Sequence, residues 1–177
     1  MQPLERSAVY GAFAAAFRSG DGGVDVLDES VLPSPPHDAA KAFMEAFDPA
    51  VSKRAVSLHA STHVNREQTD LYQELIRWYD HFGLKRRDGG ELPDHLSVML
   101  EFMQFLTFQE HANASDAQAV QTLHTAQADF INRHLVPVVG DIISKTEVNT
   151  PRYRELPRSL LAFLEDELLQ FSITSPR

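Results

Sequence analysis

Apolar side chains recur along this chain every three or four residues, the spacing that places them on one face of an α-helix. Tyr10, Phe13 and Phe17 mark the inner face of a first helix. The run Ser19-Gly20-Asp21-Gly22-Gly23 ends it, because glycine takes left-handed backbone angles readily. Residues 24–36 are irregular, since Pro33, Pro35 and Pro36 remove backbone donors. A short helix fits 38–47 with Phe43, Met44 and Phe47 inward, and Asp48-Pro49 punctuates it. Another helix is expected from Pro49 to about His59.

The strongest amphipathic stretch is 66–82, with Leu71, Leu75, Trp78, Tyr79 and Phe82 as its stripe and Gly83 where a C-terminal cap belongs. After the polar loop Lys85 to Gly90, Asp94 is expected to cap a helix over 95–111 by accepting from its free amides. That helix is apolar nearly all round, from Leu96 through Leu100 and Met103 to Phe108, and should be the central one. A long helix over 116–135 turns Val120, Leu123, Phe130, Ile131 and Leu135 inward. Pro137 ends or kinks it, and 138–145 continue at an angle. Thr150 and Pro151 open the last helix, buried through Leu160, Leu161, Phe163, Leu164, Leu168 and Phe171. With no alternating β-branched run and no internal repeat, the pattern predicts an all-α fold. It is a single-domain bundle over 1–177, of about seven or eight helices.

Composition narrows the function. The 16 basic residues stand against 25 acidic ones, a net charge of −9, which argues against a nucleic-acid binder and favours a cationic partner. The absence of cysteine excludes disulfides, thiolate metal sites and a cysteine nucleophile. No apolar stretch reaches the roughly 18 residues of a membrane span, so no membrane insertion is expected. The apolar run Val9 to Phe17 follows Arg6, the order of charge and apolar run in a secretory signal. Glu5 offsets that charge and Tyr10 and Gly11 interrupt the run, so it reads as a mature amphipathic helix.

Three clusters carry candidate chemistry. His59, His63 and Glu67 are spaced four apart and would share a helical face, the ligand set of an alternative reading as a metal-dependent hydrolase. The zinc-protease pattern is missing, and Val64-Asn65-Arg66 reads as a helix break. Arg86 and Arg87 read as a solvated loop, and no catalytic elbow or phosphate loop is present. The third cluster runs Tyr79-Asp80-His81-Phe82-Gly83-Leu84, then Glu91-Leu92-Pro93-Asp94-His95-Leu96, then Leu100-Glu101-Phe102-Met103. It gathers aromatic, acidic and imidazole groups at a helix–loop–helix junction. His95 and Glu101 are six residues apart and so face nearly opposite sides of a straight helix.

This third cluster, in the form FGL, LPDHL and LEFM, resembles the signature of the TorD/DmsD/NarJ family of molybdoenzyme maturation chaperones. The resemblance continues in Phe130-Ile131-Asn132-Arg133-His134-Leu135-Val136-Pro137, similar to the family's F-x-x-x-H-L-x-P segment, and in Leu160 to Glu165 and Tyr10 to Arg18. Within that family it resembles most the chaperones of type II dimethyl sulfoxide reductase-family enzymes. Val138 and Val139 stand where many relatives carry tryptophan.

The resemblance implies a cytoplasmic, non-catalytic chaperone. Its partner would be the catalytic subunit of such an enzyme, bound in the cofactor-free form together with its twin-arginine leader. Export would wait until molybdopterin guanine dinucleotide is inserted. The chaperone itself would hold no permanent cofactor and no metal, touching that dinucleotide only in passing, and a homodimer by helix exchange is allowed. Asp94 and His95 match the family's D-H pair at the leader site. Asp80, Asp94 and Glu101 are candidate carboxylates for arginine, whose planar fork pairs with carboxylate bidentately. Trp78, Tyr79, Phe82, Leu84 and Pro93 would line a groove for the leader's apolar run. A further alternative is a helical assembly subunit that binds a mature protein surface.

Overall fold

A computed structural model describes residues 1–19, 39–85 and 89–174. The expected glycine stop at Gly20 to Gly23, the proline-rich 24–36 and the Arg86–Arg87 loop lie outside these residues. Within them the chain forms seven α-helices: α1 (Pro3–Ser19), α2 (Ala39–Phe47), α3 (Gln68–His81), α4 (Leu96–Ala112), α5 (Ala117–Phe130), α6 (Val136–Asn149) and α7 (Glu155–Thr174). No strand is present among the described residues, and none of their helices is long and apolar enough to cross a membrane.

The predicted central helix is central. Leu96, Met99, Leu100, Met103 and Leu106 of α4 are fully buried, and α1 packs along it, while the Tyr10 and Phe13 rings of α1 meet Phe163 of α7 and its Phe17 ring meets Phe47 of α2. Ser7 Oγ donates to the Gln104 carbonyl at 3.0 Å, fastening the two helices. A buried ionic cluster ties α1 to three more helices. Arg6 Nε donates to both oxygens of Glu167 at 2.7 and 2.8 Å, Nη1 to Glu110 at 2.8 Å and Nη2 to Gln127 at 2.5 Å. Burial of these charges is tolerable because each is paired and hydrogen-bonded.

The chain passes from α5 to α6 through a π-helical turn, Ile131–Leu135, where the Val136 amide reaches back five residues to Ile131. Pro137 explains the widening. It has no N–H, and its ring crowds the carbonyl of the preceding turn, so the helix relaxes without breaking.

Several sequence expectations need correction. Residues 49–59 are not helical. Turns at Asp48 to Ser52 lead to an extended segment in which Val56 and Leu58 alternate inward, ending in an isolated antiparallel bridge between His59 and His95. The last helix starts at Glu155, because Thr150 caps α6 and Pro151–Tyr153 forms a 3-10 turn first. Met44 and Phe108, expected inward, are 47% and 50% exposed. Asp94 does not cap α4. His95 does, its ring nitrogen accepting from the Ser97 amide.

Candidate functional site

The site begins with the end of α3. Phe82 closes the helix and Gly83 follows with φ +76°, a left-handed angle that glycine adopts without strain and that turns the chain sharply. The Leu84 amide then bonds back to the Tyr79 carbonyl at 2.9 Å, so the loop folds against its own helix. From the other side, Tyr79 donates its hydroxyl to the Pro93 carbonyl at 2.7 Å. Burial, reinforced by the Asp94 charge, pushes the Tyr79 phenol up, so it stays a neutral donor.

Between α3, this loop and α4 lies a cleft of about 590 Å³. Tyr79, Asp80, Leu84, Pro93 and Glu101 from the predicted set all line it. Ile76, Val98, Phe102 and Phe105 extend its apolar wall, and Arg18, Lys85 and Glu91 stand at its polar side. Among the described residues, the carboxylates of Asp80 and Glu91 have no hydrogen-bond partner, whereas Glu101 accepts from Arg18 Nη2 at 2.5 Å.

The other predicted residues lie outside this cleft. Trp78 and Phe82 pack behind its wall, with ring centroids 6.3 and 5.6 Å from that of Phe102. The helical turn directs them at the core, as their stripe positions require. Asp94 is 0% exposed and already satisfied. Its Oδ1 meets His59 Nδ1 at 3.0 Å and its Oδ2 accepts the Ser61 amide at 3.0 Å. Burial, the largest influence, pushes its carboxyl up, but the hydrogen bonds from His59 and Ser61 outweigh it and hold it at about 2. Donating that same hydrogen bond to Asp94 raises His59, against a lesser effect of burial.

His95 faces a second cleft of about 470 Å³, lined by Phe17, Phe43, Phe47, Leu58 and His59 among others. Burial, then the neighbouring His59 charge, pushes His95 down to about 4. The neutral ring that results can accept at Nδ1, as its cap contact with Ser97 requires. Thus His95 and Glu101 serve opposite sides of α4, as their spacing predicts, and Arg18 and Glu91 line both clefts.

The hydrolase ligand set is not assembled. His59 and His63 flank a 3-10 turn rather than sharing a helix, and Glu67 is an exposed N-cap residue of α3. His63 is committed elsewhere, with Nδ1 2.6 Å from Asp141 Oδ2 and Nε2 2.7 Å from the Ser57 carbonyl. No group of metal-ligating side chains sufficient for an ion occurs among the described residues.

Motif reading did not single out Arg18 or Glu91 as site residues, although Glu91 lies within the third cluster. Arg18 is 83 residues from Glu101 in sequence, and only the packing of α1 on α4 brings them together. The acidic lip of the third cluster was the available signal for Glu91.

The described residues thus form an all-α bundle with an apolar cleft and carboxylates at its edge. The nitrate reductase delta subunit family matches residues 15–144, and the chain belongs to that family. It is 30% identical over 169 residues to the selenate reductase assembly chaperone protein of Thauera selenatis, covering 92% of this chain and 88% of that protein. It is also 33% identical over 101 residues to the chlorate reductase assembly chaperone protein of Ideonella dechloratans, 56% of this chain and 52% of that protein. The dimethyl sulfide dehydrogenase assembly chaperone protein of Rhodovulum sulfidophilum is 33% identical, over 50% of this chain and 38% of its own length. The sequence resemblance to the NarJ/TorD-type chaperones therefore stands, and the protein is an assembly chaperone, not an enzyme.

Proposed function

We propose that this protein is a system-specific cytoplasmic chaperone for the catalytic subunit of a type II dimethyl sulfoxide reductase-family molybdoenzyme. It binds the twin-arginine leader and the cofactor-free subunit, assists cofactor insertion and delays export until insertion is complete. Molybdopterin guanine dinucleotide is the client's cargo in this scheme. The relatives' names, which pair such chaperones with selenate, chlorate and dimethyl sulfide enzymes, support the client class.

The observation that carries the leader reading is the first cleft. A twin-arginine leader presents two guanidinium groups followed by an apolar, helix-forming run. The cleft offers the complement: carboxylates at Asp80, Glu91 and Glu101 beside a wall of Ile76, Leu84, Val98 and Phe105. The chain's net charge of −9 favours encounter with a cationic segment by long-range attraction.

Tagged protein recovered from its native cytoplasm tests this reading. Mass spectrometry is expected to find a molybdoenzyme catalytic subunit that still carries its leader, and deleting the leader is expected to remove most of the binding. Recovery of mature complexes alone would overturn it in favour of an assembly subunit that binds a mature surface. A homodimer by helix exchange belongs to the same reading, and light scattering on the pure protein reads it directly.

A further inference from the structure

We propose that Arg18 is an intramolecular occupant of the leader site: it sits on Glu101 where an incoming arginine binds, and shifts to Glu91 when that arginine arrives. The inference rests on the leader-binding reading above and adds how the empty site is held.

The two arginines of α1 are placed in opposite ways. Arg6 is locked, with its side chain 4% exposed and its donors spread over Glu110, Glu167 and Gln127. Arg18 is open. Its side chain is 47% exposed, that of Glu101 is 43% exposed, and a single Nη2–Oε1 contact joins them. An ion pair this exposed adds little to stability, because water screens it and two long side chains must be held still. It is therefore cheap to exchange. An arginine entering from the cleft can engage a carboxylate with both arms of its fork, a stronger arrangement than the one-armed contact it replaces.

Release also needs a second resting place for Arg18. Arg18 and Glu91 line both the first and the second cleft, so they stand at the boundary between them. The Glu91 carboxylate has no hydrogen-bond partner among the described residues. Arg18 can thus leave Glu101 without losing a carboxylate neighbour.

The test is a calorimetric titration with one probe, a synthetic peptide bearing two adjacent arginines followed by a leucine- and alanine-rich run. Arg18→Gln is expected to bind it about two- to fivefold more tightly than the wild type. Arg158→Gln removes the same charge from α7, in a residue that lines neither cleft, and is expected to leave the affinity unchanged. In a Glu101→Gln background, Arg18→Gln is expected to have no effect. Should Arg18→Gln fail to fold, Arg18→Lys takes its place, with a smaller gain in the same direction.

Equal or weaker binding by the Arg18 variant overturns the proposal. So does an equal gain from Arg158→Gln, or a gain that persists without Glu101. A wild type that binds while Arg18→Gln shows no gain defeats only the occupancy of Glu101. A protein that binds no such peptide in any variant defeats the leader reading as well.

Discussion

The buried Asp94 carboxylate and the half-buried His59 imidazole form a pair, Oδ1 to Nδ1 at 3.0 Å, that clips the loop before α3 onto the start of α4. The backbone reinforces the clip. Ala60 N–H donates to the Asp94 carbonyl and Leu96 N–H to the Leu58 carbonyl, both at 2.8 Å. Asp94 therefore orders the floor between the two clefts and offers no free oxygen to a ligand.

Removing that carboxylate strands the Ser61 amide and His59 together. Asp94→Ala is expected to destabilise the fold by about 3 kcal/mol, the scale for breaking a buried pair by deleting one partner. Urea unfolding followed by circular dichroism measures it. A loss below about 1 kcal/mol would place Asp94 outside the framework.

The assignment of the cap to His95 was the reverse of the sequence expectation, and the reason is tertiary. Aspartate and histidine at 94 and 95 both sit where a cap belongs, and local spacing favours the carboxylate. Once residues 55–59 run extended toward the start of α4, His59 and the Ser61 amide claim Asp94, and the imidazole of His95 caps instead. The same extended segment explains the missed helix at 49–59, since the alternation of Val56 and Leu58 is too short to outweigh its helix-compatible neighbours. The strongly patterned elements were legible: α3 with its stripe and Gly83 turn, α4 as an apolar helix, and a break near Pro137, though not its π-helical form. Within the cleft, Tyr79, Asp80, Leu84, Pro93 and Glu101 were legible because one helix–loop–helix carries them all. Arg18 was not, because no local pattern links the end of α1 to the middle of α4.

Burial of His95, with the His59 charge beside it, makes stability fall in mild acid. Its folded pKa is depressed to about 4, so below about 6.5 the unfolded chain takes up a proton that the folded state refuses. The stability is complete above about pH 6.5 and is lost progressively down to about 4, by no more than about 3 kcal/mol. His59 works the other way, since its raised pKa makes its protonation stabilising, an effect present below about 6.5 and lost as pH rises above it. His95→Asn keeps a capping side chain that does not titrate. Its denaturation midpoints between pH 6.5 and 4 are expected to fall less steeply than those of the wild type, and a parallel fall would contradict the assignment.

Tyr79→Phe removes one hydroxyl and keeps the ring against Phe102, 5.0 Å between centroids. The loss of its bond to the Pro93 carbonyl is expected to cost about 1 kcal/mol. Because that bond joins α3 to the loop before α4, hydrogen exchange at Leu84 and His95 is expected to rise in the same variant. Unchanged exchange at both amides would show that the bond does not hold the cleft together.

Arg6→Met leaves Glu110 and Glu167 facing one another without their shared cation. The expected loss is about 3–5 kcal/mol, far above that of any exposed pair in the molecule. Thermal unfolding of this variant beside Arg158→Gln, whose ion pairs are exposed, makes the comparison. Equal effects would contradict the reading of the Arg6 cluster as the pin that joins α1 to α4, α5 and α7.

The most direct test of the cleft as a leader site uses Trp78, the sole tryptophan of the chain, as reporter. It packs on Phe102, whose ring lines the cleft, so an occupant should change its emission. A twin-arginine peptide is titrated into the wild type and into Glu101→Gln while that emission is followed. Saturable binding by the wild type, about tenfold weaker in the variant, is the predicted result, the scale of one charge-assisted hydrogen bond. An emission that stays flat in both proteins, or the same affinity in both, would contradict the cleft as the place where a leader arginine is read.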